Sequence, residues 1–169
     1  EIGFWDQLDV IGVNAYFELW PIQLPLDADE PLDRHLREAW DGHLEGLDTF
    51  RRRRGLSDRP VLFTELGYTR RRHCSVHPWA SAGYSLFGPT DDRHVLVWRD
   101  EPAEDGERVA AMRALREVRD ARRDDELAPV VEGLLYWKLT TQRSHAAAEP
   151  YSLVLGTGDP LEDELTAFR

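Results

Sequence analysis

Apolar and amphipathic stretches alternate along this chain and predict three pairs of strand and helix. The segments 8–17, 61–65 and 133–138 are short, apolar and rich in β-branched or aromatic residues, which is typical of strands. The segments 32–54 and 104–123 carry apolar residues at steps of three and four, which predicts amphipathic helices. Because the strands are almost continuously apolar, we expect both faces of their sheet to be covered.

Glycine, proline and arginine mark the ends of the predicted helices. The arginine run 51–54 suits the negative end of the first helix dipole, and Gly55 is a natural stop. Pro160 predicts the start of a short last helix. The segments 18–31 and 66–103 have no sustained apolar period, so we expect both to be loops.

The order of strands and helices predicts the fold class. Strands that alternate with helices run parallel and are joined by crossover connections, so the chain is an α/β protein. Long loops follow the strands, and no glycine-rich phosphate loop follows any of them, which favours a TIM barrel over a dinucleotide-binding sheet. A complete barrel has eight units in about 250 residues. We therefore expect residues 1–169 to be a partial (β/α)8 TIM barrel, the C-terminal three β/α units of one catalytic domain, as the start at Glu1 also indicates.

Charge and cysteine content narrow the classes of partner. The net charge of −11 disfavours nucleic acid and anionic membranes, because both require clustered positive charge. No apolar run reaches the roughly 20 residues of a membrane span. Cys74 is the one cysteine, so an internal disulfide is impossible. His73, Cys74 and His77 lie close together, but no further ligand at a recognisable spacing completes a zinc site, so we predict no metal.

All three predicted strands end in residues that suit a sugar. Asn14 and Tyr16 share a face at the end of the first strand, because side chains alternate along a strand. Glu65 ends the second strand and Trp137 ends the third. In a barrel, the carboxyl ends of the strands carry the chemistry. A pyranose stacks its apolar face on an indole and needs hydrogen bonds for its hydroxyl groups, so this set predicts an oligo- or polysaccharide substrate.

The same strand ends resemble a known family of enzymes. The stretches 14–17 (Asn-Ala-Tyr-Phe), 63–68 (Phe-Thr-Glu-Leu-Gly-Tyr) and 136–138 (Tyr-Trp-Lys) look like the ends of strands six, seven and eight of a clan-A glycoside hydrolase. They are most similar to glycoside hydrolase family 113, the β-mannanases, and the second stretch is the most specific. The resemblance implies a retaining hydrolase of a β-linked, mannan-like polysaccharide that uses no cofactor.

The resemblance also implies a role for each residue. Glu65 matches the nucleophile, Tyr16 matches the tyrosine that hydrogen-bonds the nucleophile, and Trp137 matches the floor of the −1 subsite. Asn14 and Tyr68 are further candidates for substrate contact. The general acid/base of this clan belongs to strand four, which these residues do not include. Retaining hydrolysis needs two carboxyl groups about 5–5.5 Å apart, so we expect the 169 residues alone to be inactive.

Other interpretations of these residues stay open. Glu65 can instead pair with an arginine, and Tyr16 and Trp137 can be ordinary core residues. The chain can belong to a carbohydrate-binding or degenerate barrel without catalysis, or to a different barrel enzyme that uses Glu65 as a base or a metal ligand.

Aromatic residues in the long segment 66–103 also have two interpretations. Trp79, Tyr84 and Trp98 are candidate outer platforms for sugars. Burial of the same rings would instead anchor the loop to the rest of the chain. The sequence does not decide between these two roles.

Overall fold

A three-stranded parallel sheet organises the chain. The structure is a computed structural model that describes residues 3–19, 32–81, 83–87, 94–98, 105–123, 129–144 and 149–168. The strands are β1 (Ile11–Asn14), β2 (Val61–Leu66), β3 (Gly83–Phe87), β4 (His94–Trp98) and β5 (Val131–Tyr136), and the helices are α1 (Leu32–Arg54), α2 (Gly106–Ala121) and α3 (Pro160–Thr166). The parallel sheet has the order β1-β2-β5, and β3 pairs with β4 in a separate antiparallel sheet.

The parallel sheet confirms the α/β prediction. Ile11 pairs with Val61, and Val61 pairs in turn with Val131, so the three strands start side by side. The helix α1 lies between β1 and β2 in the chain, and α2 lies between β2 and β5. Within the parallel sheet, the three strands are therefore neighbours in chain order, as alternating strands and helices predict.

The two long helices pack on one face of this sheet. The buried indole of Trp40 in α1 stacks on Phe63 of β2, with ring centroids 6.0 Å apart. Its Nε1 donates a 2.9 Å hydrogen bond to the carbonyl oxygen of Ala111 in α2. One buried cluster therefore joins both helices to the middle strand, and the large apolar area of Trp40 is among its main contributions.

The helices confirm their predicted apolar positions, and α1 also confirms its predicted ends, whereas α2 is two residues shorter at each end than the predicted 104–123. The buried positions include three in α1 and four in α2: Leu36, Trp40, Leu44, Val109, Met112, Leu115 and Val118. Gly55 follows α1 with a φ of 69°, the left-handed conformation that a glycine adopts without a steric cost. Asp159 caps α3 by accepting a hydrogen bond from the amide of Leu161, and Pro160 occupies the first turn.

The opposite face of the sheet is open in the described residues, so the expected cover on both faces is found on the helix side only. Leu134 packs against the core, whereas the side chain of the next residue, Leu135, is 59% exposed. Thr64 is exposed on this face too, and a Cβ at Gly12 would lie 3.1 Å from its Cγ2. The described chain therefore has a helix layer on one side of the sheet and an uncovered surface on the other.

Several predicted boundaries were wrong. The first strand has four residues instead of ten, and the short 3-10 helix Trp5–Gln7 precedes it. The segment 66–103 was expected to lack regular structure, but it contains the hairpin of β3 and β4, in which Gly83 pairs with Trp98. The β-branched and aromatic run at 94–98 was the sequence signal for this hairpin. Most of the predicted loop 18–31 lies outside the described residues.

No membrane span is found in the part of the chain that the structure describes. None of its helices combines the required length with an apolar composition. The longest helix, α1, carries many charged residues, and its last turn holds four arginines, of which Arg51 is buried.

Candidate functional site at the strand ends

Hydrogen bonds between the strands place the three predicted strand ends next to one another. The amide of Ala15, just after β1, donates to the carbonyl oxygen of Glu65 at 2.7 Å. The amide of Trp137, just after β5, donates to the carbonyl oxygen of Leu66 at 2.7 Å. Because Glu65 and Leu66 are consecutive, the main chains of all three strand ends meet within one residue of the glutamate.

The phenol of Tyr16 holds the carboxylate of Glu65. The Tyr16 hydroxyl donates a 2.8 Å hydrogen bond to Oε1 of Glu65. Burial, together with the hydrogen bond to Glu65 and the negative charge there, raises the pKa of Tyr16 well above its ordinary value. The phenol therefore remains a protonated donor at neutral pH.

The second oxygen of Glu65 has no hydrogen-bond partner among the described residues, and the side chain is partly exposed. In the same part of the chain, no arginine or lysine forms an ion pair with Glu65. Arg70, which follows the strand closely, contacts Asp159 instead. The interpretation of Glu65 as the partner of an arginine therefore has no support, and the carboxylate presents one oxygen to an incoming group.

Asn14 lies on the open face of the sheet beside this pair. Its Oδ1 accepts a 2.9 Å hydrogen bond from the hydroxyl of Thr64. Because the oxygen of the carboxamide is engaged, the amide nitrogen of Asn14 is the group that remains for donation to a ligand. The side chain is exposed, which makes it accessible from the open face.

Trp137 is held against the end of β2 by a close backbone contact. A Cβ at Gly67 would lie 1.9 Å from the carbonyl oxygen of Trp137, so only glycine fits there. The indole itself is 47% exposed. Lys138 lies with Nζ 5.9 Å from the centre of that ring and 3.1 Å from Oε2 of Glu149. The ammonium group of Lys138 therefore lies over the tryptophan ring and pairs with Glu149, while Trp137 remains partly accessible.

Tyr68 lies in the core and not at the accessible strand ends. Its side chain is fully buried, and its carbonyl oxygen accepts a 3.1 Å hydrogen bond from the hydroxyl of Tyr136. Burial raises the pKa of the Tyr68 phenol well above its ordinary value. This placement gives Tyr68 no surface for a substrate contact in the described chain, so it is left out of the candidate site.

Tyr151, which no pattern in the sequence singled out, packs against Tyr16. The ring of Tyr151 packs edge-on against the ring of Tyr16, with centroids 6.4 Å apart. Its hydroxyl donates a 2.6 Å hydrogen bond to the carbonyl oxygen of Pro78. Tyr151 lies in an irregular segment, where no periodicity predicts which side chains are buried. Its contacts join the strand ends to the loop that follows β2.

The loop that follows β2 is attached to the first turn of α2. The buried carboxylate of Glu107 accepts hydrogen bonds from the amide of His73 at 2.8 Å and from the amide and hydroxyl of Ser75 at 2.9 and 2.5 Å. Cys74 between them is buried. Within the described residues, no group of three or more histidine, cysteine or acidic side chains is arranged to hold a metal ion. The segment 73–77 is thus a loop anchored by Glu107.

A buried charge network lies beside the anchored loop. Asp159 accepts from both Arg70 and Arg108, and Arg108 is also 2.7 Å from Asp105. Burial tends to raise the pKa of the Asp159 carboxyl, but hydrogen bonds from Arg70 and from the Leu161 amide, with the charge of Arg108, hold it below its usual range. The network ties the loop after β2 to the start of α2 and to the cap of α3.

Comparisons with known proteins leave the family resemblance as a hypothesis. Neither a protein-family model nor a curated protein nor a solved structure matches this chain. The resemblance therefore depends on the strand-end motifs and on the geometry that surrounds Glu65.

Proposed function

We propose that this chain is the nucleophile-bearing part of a retaining glycoside hydrolase that acts on a β-linked, mannan-like polysaccharide. The observation that carries the proposal is the 2.8 Å hydrogen bond from Tyr16 to Glu65 at the end of a parallel strand. One oxygen of this carboxylate has no partner among the described residues, and the exposed Trp137 follows the neighbouring strand, its amide bonded to the residue after Glu65. A pyranose stacked on this indole would present its anomeric carbon to the carboxylate.

The sheet supports a barrel as the complete fold. In a (β/α)8 barrel, strands follow one another in chain order, the helices cover the outer face, and the inner face lines the barrel. The order β1-β2-β5, with the long helices on one face, is compatible with three such units. We therefore propose that the open face, with Leu135 and Thr64, belongs to the interior of a larger barrel.

The proposed reaction has two steps. An oxygen of Glu65 attacks the anomeric carbon and forms an ester bond, while the glycosidic C–O bond breaks and the leaving oxygen takes a proton from a general acid. The residue that acted as the general acid is now a base and removes a proton from a water molecule. This water attacks the anomeric carbon, the ester bond breaks, and Glu65 is released as a carboxylate. This acid/base is contributed by residues outside the 169, and the two steps consume no cofactor.

The role of Glu65 is tested in the full-length gene product with β-1,4-linked manno-oligosaccharides. We expect Glu65→Gln to lower kcat by at least about 1,000-fold, because the amide is not a nucleophile and no other group replaces it. The control is Glu132→Gln, which removes an exposed carboxylate at the other end of β5 and leaves kcat unchanged. Both variants should show the circular dichroism and melting curve of the parent protein.

A trapping experiment identifies the attacking atom directly. A 2-deoxy-2-fluoro-β-mannosyl fluoride slows both steps and accumulates the glycosyl-enzyme, and peptide mass spectrometry should place the added sugar on Glu65. A Glu65→Gln variant that keeps its rate within about tenfold of the parent, or a label on another residue, would overturn the proposal. Sugar binding without turnover in the parent protein would favour the non-catalytic carbohydrate-binding alternative.

A further inference from the structure

The loop after β2 is fixed in place although it contains no regular structure in its first part. Ser75 gives two hydrogen bonds to Glu107, and its carbonyl oxygen accepts a 2.9 Å bond from the amide of Leu19. Val76 is 1% exposed. Hydrogen bonds thus anchor the loop both to α2 and to the segment after β1. Buried apolar residues such as Val76 add to this anchoring.

A continuous path of contacts leads from Glu65 to this loop. Tyr16 donates to Glu65, and the edge of Tyr151 packs against the ring of Tyr16. The hydroxyl of Tyr151 then holds the carbonyl oxygen of Pro78. The residue that follows is Trp79, which is therefore linked to the candidate nucleophile through Tyr151 and Tyr16.

Trp79 does not serve to anchor the loop, because its side chain is 57% exposed. Its ring centroid lies 5.2 Å from that of His77, and the two planes are tilted by 45°. The Nδ1 of His77 is 3.0 Å from a carboxylate oxygen of Glu18. An exposed indole therefore lies beside an imidazole that is itself paired with a carboxylate, and an apolar plate next to polar groups is the combination that recognises a pyranose.

We infer that Trp79 is a second sugar platform, which binds a sugar unit of the chain other than the one that stacks on Trp137. Glu18 and His77 form its polar rim. This inference rests on the proposed function, and it specifies the substrate class: an oligomer or polymer of β-linked pyranoses that contacts both indoles. A single glycoside unit reaches Trp137 and Glu65 alone.

The test separates the two platforms by substrate length in the full-length protein. For Trp79→Ala, we expect KM for mannan or mannohexaose to rise about tenfold, the size of one lost aromatic contact, with kcat within about twofold. KM and kcat for an aryl β-mannoside, which fills only the position at Trp137, should stay unchanged. Trp79→Phe should recover most of the affinity for the polymer, since it keeps an aromatic face.

Phe4→Ala is the matched control, because Phe4 is 52% exposed and precedes β1, at the opposite end of that strand. It should leave both substrates unaffected. A binding measurement independent of turnover uses the Glu65→Gln protein and calorimetry with mannohexaose and methyl β-mannoside: adding Trp79→Ala should weaken only the longer sugar, again about tenfold.

Two results would overturn the inference, and only the second would also overturn the proposed function. Suppose that the protein cleaves manno-oligosaccharides, but that Trp79→Ala changes KM equally for long and short substrates or leaves both KM values unchanged. The second platform is then wrong and the proposed function stands. If the parent protein neither binds nor cleaves any of these sugars, both the platform and the proposed function are wrong.

Discussion

The hydroxyl of Tyr16 lies 2.8 Å from Oε1 of Glu65, although 49 positions separate the two residues in the chain. The two side chains meet because β1 and β2 are parallel neighbours, and because the register between them shifts where Asn14 comes to pair with Glu65. Such an irregularity turns side chains at a strand end and is frequent beside active sites. The pairing of β1 with β2 therefore brings the two side chains into contact, and the contribution of this contact to function can be measured directly.

Removal of the Tyr16 hydroxyl should lower activity without unfolding the protein. We expect Tyr16→Phe to reduce kcat on manno-oligosaccharides about 10- to 100-fold, because the carboxylate of Glu65 loses the donor that orients it and stabilises its charge. Steady-state kinetics of the full-length protein gives the change. Tyr136→Phe is the matched control, since that phenol donates to the carbonyl oxygen of Tyr68 and not to Glu65. Equal losses in the two variants would contradict a specific role for Tyr16.

A methyl group at Gly67 should separate the ends of β2 and β5. The carbonyl oxygen of Trp137 lies 1.9 Å from the position of the new Cβ, and because this neighbour is backbone it cannot move aside as a flexible side chain would. We expect Gly67→Ala to lower the free energy of unfolding by about 2–4 kcal/mol and to change the tryptophan fluorescence. Denaturant titration measures the first quantity.

Gly42→Ala should change the free energy of unfolding in the opposite direction, because there is free space around this glycine. Gly42 lies within α1, and nothing is within 4 Å of an added Cβ. Alanine there should raise the free energy of unfolding by about 0.5–1 kcal/mol, because it restricts the unfolded chain and favours the helix. If Gly67→Ala were as stable as Gly42→Ala, the close contact with Trp137 would not be real.

Local sequence patterns predicted the helices and the strand order better than the contacts between distant segments. The helix α1 begins and ends at the predicted residues, because its apolar period is regular and Gly55 stops it. The strand-end position of Glu65 followed from its place after an apolar run. The roles of Tyr151 and Glu107 could not be predicted, because each depends on how an irregular loop meets another element. The open face of the sheet was also missed, since apolar strands do not reveal what covers them.

Loss of the Glu107 carboxylate should release the loop after β2. In Glu107→Ala, the amides of His73 and Ser75 lose their acceptor in a buried setting, which costs about 1–3 kcal/mol for each unsatisfied group. The run of arginines at 70–72 then becomes more accessible to trypsin. Limited proteolysis should show cleavage there at least about tenfold faster than in the parent protein. Glu117→Ala, another carboxylate of α2, is the control and should not accelerate this cleavage.

The Asp159 network should make stability depend on pH in a defined direction. The folded state holds the pKa of Asp159 below the unfolded value of 3.8, so its stabilising contribution is fully present above about pH 4 and is lost as pH falls through the lowered folded pKa. Asp159→Asn retains the capacity to cap α3 but removes the charge. We expect it to cost about 3 kcal/mol at pH 7 and progressively less below pH 4, as measured by denaturant titrations across that range. A cost that does not change between pH 7 and pH 3 would contradict the ion-pair origin.

The outer strands of the parallel sheet should make the 169-residue chain associate with itself. In the described residues, β1 and β5 are the two edges of this sheet, and the adjoining open face exposes Leu135. Unpaired strand edges beside an apolar surface favour contacts between chains. Sedimentation velocity at micromolar concentrations should therefore detect oligomers, and Leu135→Lys should reduce them more than Leu155→Lys, which changes a leucine of similar exposure in a loop. A monomer that melts cooperatively would contradict this expectation, and with it the proposal that the open face belongs inside a larger barrel.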